Sequence, residues 1–179
     1  MSRALHQYHR AFTFRLDLRL PPTIDPRYLS HENEFIDRFI DSFKAKIRHN
    51  RQFALRENQY AHDTVVRYVW AREVGQHVRP HYHLVIFLNY EAFCSLGQYS
   101  LGRDNMFNRL ESAWASALGL IIDDAVGLVE IPAKPYYHIH RDDVDVIAKF
   151  FIELAIYANP LQGLLEMAAI DLALVLTVD

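Results

Sequence analysis

Hydrophobic and polar residues alternate along 11–20, where Phe12, Phe14, Leu16, Leu18 and Leu20 are separated by Thr13, Arg15, Asp17 and Arg19. A period of two predicts a half-buried β-strand, and Pro21-Pro22 ends it because neither proline can donate to a ladder. Spacing turns helical over 34–51, with Phe35, Ile36, Phe39, Ile40, Phe43 and Ile47 on one side, acids early and bases late. Ser30 and Asn33 are its candidate N-caps, and the polar stretch 51–63 is expected to be a loop. Thr64 to Glu73 is rich in β-branched and aromatic residues, and His81 to Leu88 is apolar after its first positions. With Gly75 in the turn between them, 64–88 is expected to be a β-hairpin. After an irregular stretch over 91–102, Met106, Leu110, Trp114 and Leu118 form one stripe of a helix that Gly119 caps. A short strand over 127–131, stopped by Pro132, precedes a helix over 142–157 that Asn159-Pro160 breaks.

The order strand, helix, strand, strand, helix, strand, helix predicts an α+β fold, an antiparallel sheet with helices on one face in an RRM-like or ferredoxin-like arrangement. Residues 1–160 are expected to form this one domain, since no linker or repeat divides them. The segment 161–179 is apolar and acidic with poor periodicity, and is expected to pack weakly.

Composition narrows the class. Half of the 179 residues are hydrophobic, and the single cysteine, Cys94, rules out a disulfide framework and fits a reducing cytoplasm. No apolar run is long enough to span a membrane, and Met1 to Arg10 does not read as a signal peptide. A net charge of −3 conceals a gradient: 38–79 holds nine Lys/Arg against four acids, whereas no base follows Leu161. A basic middle suits a polyanionic partner, although a solvated helix face reads the same way.

The candidate chemistry lies at the start of the third strand, in Pro80-His81-Tyr82-His83-Leu84. Side chains two apart on a strand share a face, so His81 and His83 can offer two imidazoles to one ion. Glu73 lies across the expected hairpin and is the candidate third ligand. Two histidines and a carboxylate with open positions suit Mg²⁺ or Mn²⁺ acting on phosphate, or another transition ion. A tyrosine on the last helix, Tyr157, is a candidate nucleophile toward phosphorus. Each of these residues also has a plainer reading, as surface charge or ordinary core.

The pieces resemble the HUH superfamily of single-strand endonucleases, whose hallmark is His-hydrophobe-His on a central strand. More closely, the chain is similar to the inovirus gene-two protein family, also called the YagK/YfjJ C-terminal domain, of filamentous phages and prophages. The matching blocks fall in order over about 12–150: Phe14-Arg-Leu-Asp-Leu-Arg-Leu-Pro21, Arg67-Tyr-Val-Trp-Ala-Arg-Glu73, Pro80-His-Tyr-His-Leu84, Ala113-Trp-Ala-Ser-Ala-Leu-Gly119 and Gly127-Leu-Val-Glu-Ile-Pro132. The resemblance implies a divalent metal at the histidine pair, nicking and joining of single-stranded DNA at a replication origin, and rolling-circle replication in the cytoplasm of a bacterial host. Arg15, Arg19 and Lys44 are candidate phosphate contacts.

The sequence departs from the family at the nucleophile. There the family carries Tyr-Arg-x-Ser-Tyr-Leu-x-Lys, and here the chain reads Phe151-Ile-Glu-Leu-Ala-Ile-Tyr157. Codons for Phe150 to Pro160 can be chosen so that the neighbouring frame spells Tyr-Arg-Ala-Ser-Tyr-Leu-Cys-Lys, which predicts a frameshift near Phe151 and a chain that binds without cutting. Two other classes compete. One is a non-catalytic RRM-like nucleic-acid binder that stacks bases on Tyr68 and Trp70. The other is a two-histidine phosphoesterase that joins His138 and His140 to the first pair.

Overall fold

A computed structural model describes residues 7–24, 33–74 and 80–157, with backbone alone at 74, 80 and 151–157. The elements are β1 (Arg10–Arg19), α1 (Glu34–Glu57), β2 (Arg67–Val74), β3 (Pro80–Asn89), α2 (Met106–Leu118), β4 (Val129–Glu130), β5 (Tyr136–His140) and α3 (Val144–Tyr157), with a 3-10 turn at Ile122–Ala125 before β4. The expected α+β class and antiparallel sheet are what the chain forms. Strand order is β2-β3-β1-β4, with β5 also paired to β1. This is the split βαβ arrangement: β3 lies between β1 and β2, which α1 joins. The expected turn residues 75–79, the Ser30 cap, the Asn159-Pro160 break and the tail 161–179 lie outside the described residues.

Alternation assigns the two faces. Phe12, Phe14, Leu16 and Leu18 of β1 and Tyr82, Leu84, Ile86 and Leu88 of β3 share one core with Ile36, Phe39 and Phe43 of α1 and Leu110 and Trp114 of α2. Trp114 is fully buried, and its Nε1–H donates to the Arg19 carbonyl at 2.8 Å, tying α2 to the end of β1. The opposite face carries a smaller core in which Val85 and Phe87 meet Ile139 of β5 and Ile147 and Phe150 of α3. Thus α1 and α2 cover one face, and α3 adds a cover on the other.

Three features depart from the sequence expectation, and that cover explains the first two. β1 is buried on both faces over 11–16, not on one, because β3 and β5 flank it and α3 roofs it. The segment 136–140, to which the hydrophobic pattern assigns no element, is a strand: its side chains are half polar, but Ile139 is buried and Tyr136 to His140 pair with Phe14 to Arg10. Helix α1 runs to Glu57, past the expected end at Arg51, because Gln52 to Glu57 contains good helix formers and the Asn58 N–H closes the last turn on the Ala54 carbonyl. Asn33 stands at its N-terminus without a side-chain cap, whereas α2 is capped by Asn105, whose side chain accepts from the Asn108 N–H at 2.9 Å. Gly119 ends α2 at φ 69°, in the left-handed region that glycine enters without a Cβ penalty.

Candidate metal centre

Antiparallel register builds the site. Glu73 of β2 is opposite His81 of β3, Asp17 of β1 is opposite His83, and Arg19 is opposite His81. Opposed side chains share a face, so three adjacent strands present Glu73, His81, His83 and Asp17 together. That face is the one α3 roofs farther along, where Val85 and Phe87 continue the alternation.

The predicted ligand set converges. Glu73 Oε2 lies 3.1 Å from His81 Nε2 and 3.0 Å from His83 Nε2. The two rings stand 4.7 Å apart, tilted by 75°, and the three ligand atoms all lie within 4.8 Å of one another. An octahedral ion with bonds of about 2.1 Å has ligand–ligand edges of about 3.0 Å, which matches both carboxylate–imidazole separations. Side chains here are only 25–29% exposed, so each group is partly withdrawn from water yet accessible.

Sequence reasoning missed Asp17 as part of the site. Its Oδ1 lies 2.7 Å from His83 Nδ1. The signal was present: Asp17 is one of the polar positions of the alternating first strand. What was lacking was the β1–β3 register, which a chain segment with a helix and a strand between them does not spell out. With carboxylates at both ring nitrogens, His83 forms two hydrogen bonds only as imidazolium, because a neutral ring has one N–H. Accordingly the hydrogen bond that His83 donates to Asp17, with the charges of Asp17 and Glu73, raises the His83 pKa against the opposing effect of burial. A cation that displaced the Nε2 proton would leave Nδ1–H on Asp17, the arrangement in which a carboxylate orients a metal-bound histidine.

The remaining candidates separate. Arg19 is exposed at the rim and pairs with Glu130 at 2.5 Å. Arg15 is 8% exposed and its Nη2 donates to the Lys134 carbonyl at 3.1 Å, so it braces the β1–β5 edge. Lys44 lies on α1, its Nζ 4.9 Å from the Tyr68 ring, on the helix-covered side. Tyr68 and Trp70 are half-buried against the main core and do not offer a stacking platform on the histidine face. His138 and His140 are opposite Phe12 and Arg10, on the other face and toward the other end of β1 from His81 and His83, so the four histidines do not form one site. Tyr157 is the last residue of α3, and its side chain is outside what is described.

An antiparallel split-βαβ sheet with two imidazoles and a carboxylate converging on one face defines a small α+β protein with a candidate cation centre. Residues 1–156 match the YagK/YfjJ C-terminal domain, and the chain belongs to that family. It is 30% identical to YfjJ of Escherichia coli (strain K12) over 148 residues, 77% of this chain and 70% of YfjJ. It is likewise 30% identical to YagK of the same strain over 145 residues, 78% of this chain and 69% of YagK. No solved structure matches it significantly. No helix among the described residues is long and apolar enough to cross a membrane.

Proposed function

We propose that the chain is a metal-dependent enzyme of single-stranded DNA, a replication initiator of the HUH type used by filamentous phages and prophages. One observation carries this reading: Glu73 Oε2, His81 Nε2 and His83 Nε2 converge at spacings that fit one divalent ion such as Mn²⁺ or Mg²⁺. Such an ion, bound by three protein groups with positions left open, would polarise a phosphate oxygen and stabilise charge developing on the leaving oxygen. The chain's own contribution is to hold the two rings by strand geometry, to fix the His83 ring through Asp17, and to keep Arg19 at the rim for the strand backbone. The order of blocks shared with the inovirus gene-two family supports DNA as the substrate class. α3 roofs the face that carries the histidines, which supports a nucleophile supplied from that helix.

The test is incubation with a labelled single-stranded origin oligonucleotide and Mn²⁺. A covalent protein–DNA adduct, abolished by His81→Ala, is the expected result for an intact nucleophile. If the reading frame is shifted near Phe151, the adduct forms only after the alternative frame is restored, while metal-dependent binding is already present. A free cleavage product with no adduct in either frame contradicts the tyrosine mechanism.

A further inference from the structure

Residues 42–56 of α1 hold five Lys/Arg and no acid. Lys44, Arg48 and Arg51 follow one another at helical spacing and line a pocket of about 400 Å³ between α1 and the chain entering β2, together with Gln52 and Thr64. One acid, Asp63, also lines it, and its Oδ1 accepts from the Thr64 N–H at 2.7 Å. The walls are built to stay in place. Arg51 lies over the Phe93 ring at 4.3 Å, with Nη2 donating to Asn50 Oδ1 at 2.5 Å and Nη1 to the His62 carbonyl at 3.2 Å. Thr64 Oγ1 accepts from the Asn89 N–H at 2.8 Å, locking the segment to the end of β3. Lys44 spans the Tyr68 ring, and Arg48 is exposed. Burial, and after it the charge of Arg109, lower the Arg51 pKa, while Asp63 opposes them.

We propose that this pocket anchors the phosphodiester backbone of a single-stranded nucleic acid, with Lys44, Arg48 and Arg51 each facing a phosphate. Three cations in a row along a helix repeat at about 5–6 Å, close to the spacing of successive phosphates on a flexible strand. The pocket is not part of the metal centre. It opens beside the start of β2 at Arg67, and Glu73 lies about 20 Å farther along that strand. The proposal deepens the reading of the chain as a DNA enzyme by giving the strand a second hold, but it needs no metal.

The experiment measures binding of a labelled oligothymidylate in EDTA across a salt series. The groove variant is Lys44→Gln/Arg48→Gln/Arg51→Gln, and Arg38→Gln/Arg103→Gln/Arg141→Gln removes the same charge from exposed positions elsewhere. The groove variant is expected to bind at least tenfold more weakly, with the slope of log K against log salt shallower by about 2, or about 0.7 per cation. The matched control is expected to bind as the parent does. Should the triple variant lose its circular-dichroism signature, Lys44→Gln/Arg48→Gln, which leaves Arg51 on Phe93, carries the test with a slope change of about 1.4. Equal losses in groove variant and control overturn the proposal, as does failure of the parent to bind at low salt. Failure of metal chemistry leaves this result untouched, so the two claims fall separately.

Discussion

Asp17 and Glu73 divide the His83 ring between them, one at each nitrogen. Replacing Asp17 with Asn keeps the shape but removes the negative charge, leaving Nδ1–H at most a neutral amide oxygen that orients the ring less firmly. The expected outcome is a loss of roughly 10–100-fold in Mn²⁺ affinity with the fold intact, read by calorimetric titration. Without metal, the same ring sets a pH dependence. Its folded-state pKa is raised above the unfolded value of about 6.5, so its stabilisation is fully present below that pH and is lost as pH rises through the folded pKa. Urea midpoints of the metal-free protein should therefore fall over that rise, and His83→Gln should flatten the slope. Glu111 is a second titrating group. It is 2% exposed, its Oε2 has no hydrogen-bond partner among the described residues, and burial pushes its pKa to about 7. The folded state then holds the proton more tightly than the unfolded chain does. Stability is highest below about pH 4.5 for this group and declines through about pH 7, by roughly 3 kcal/mol in all. Glu111→Gln is expected to remove that decline and to raise the urea midpoint at neutral pH.

At the scale of elements, the strands and helices with a strong period were legible, and the weakly patterned ones were not. β1, the β2–β3 hairpin, α1 and α2 each carry enough apolar residues at one spacing to declare their type. β5 does not, because Tyr-Tyr-His-Ile-His mixes polar and aromatic groups, and only Ile139 and its pairing with β1 make it a strand. The end of α1 was misread because Gln52 to Glu57 has no buried face, and helix propensity alone continues it. Caps were readable where their chemistry is specific. Gly119 sits at φ 69° with nothing within 4 Å of an added Cβ, so Gly119→Ala meets backbone strain alone and is expected to cost about 1 kcal/mol, read as a lowered thermal midpoint.

For the whole molecule, two of the three candidate ligands were visible as a His-x-His pair and the third as a carboxylate across a hairpin, since hairpin partners are close in sequence. Asp17 was not, because it reaches the site only through the sheet order that places β3 between β1 and β2. The same order puts the histidines on one face and the cationic pocket beside α1 at the far end of β2, so a DNA strand held at both would run along the edge of the sheet. The departure at 151–157 is a matter for the gene: its DNA is expected to encode Tyr-Arg-x-Ser-Tyr-Leu-x-Lys in the neighbouring frame, and a stop or unrelated residues there would end that explanation. Calorimetric titration of the protein with Mn²⁺ is the decisive measurement for the cation centre. One ion per chain is expected, with proton release from His83 below its raised pKa, and loss of binding in His81→Ala, His83→Ala and Glu73→Gln. Absence of binding to the parent protein, or unchanged binding in all three variants, would contradict it.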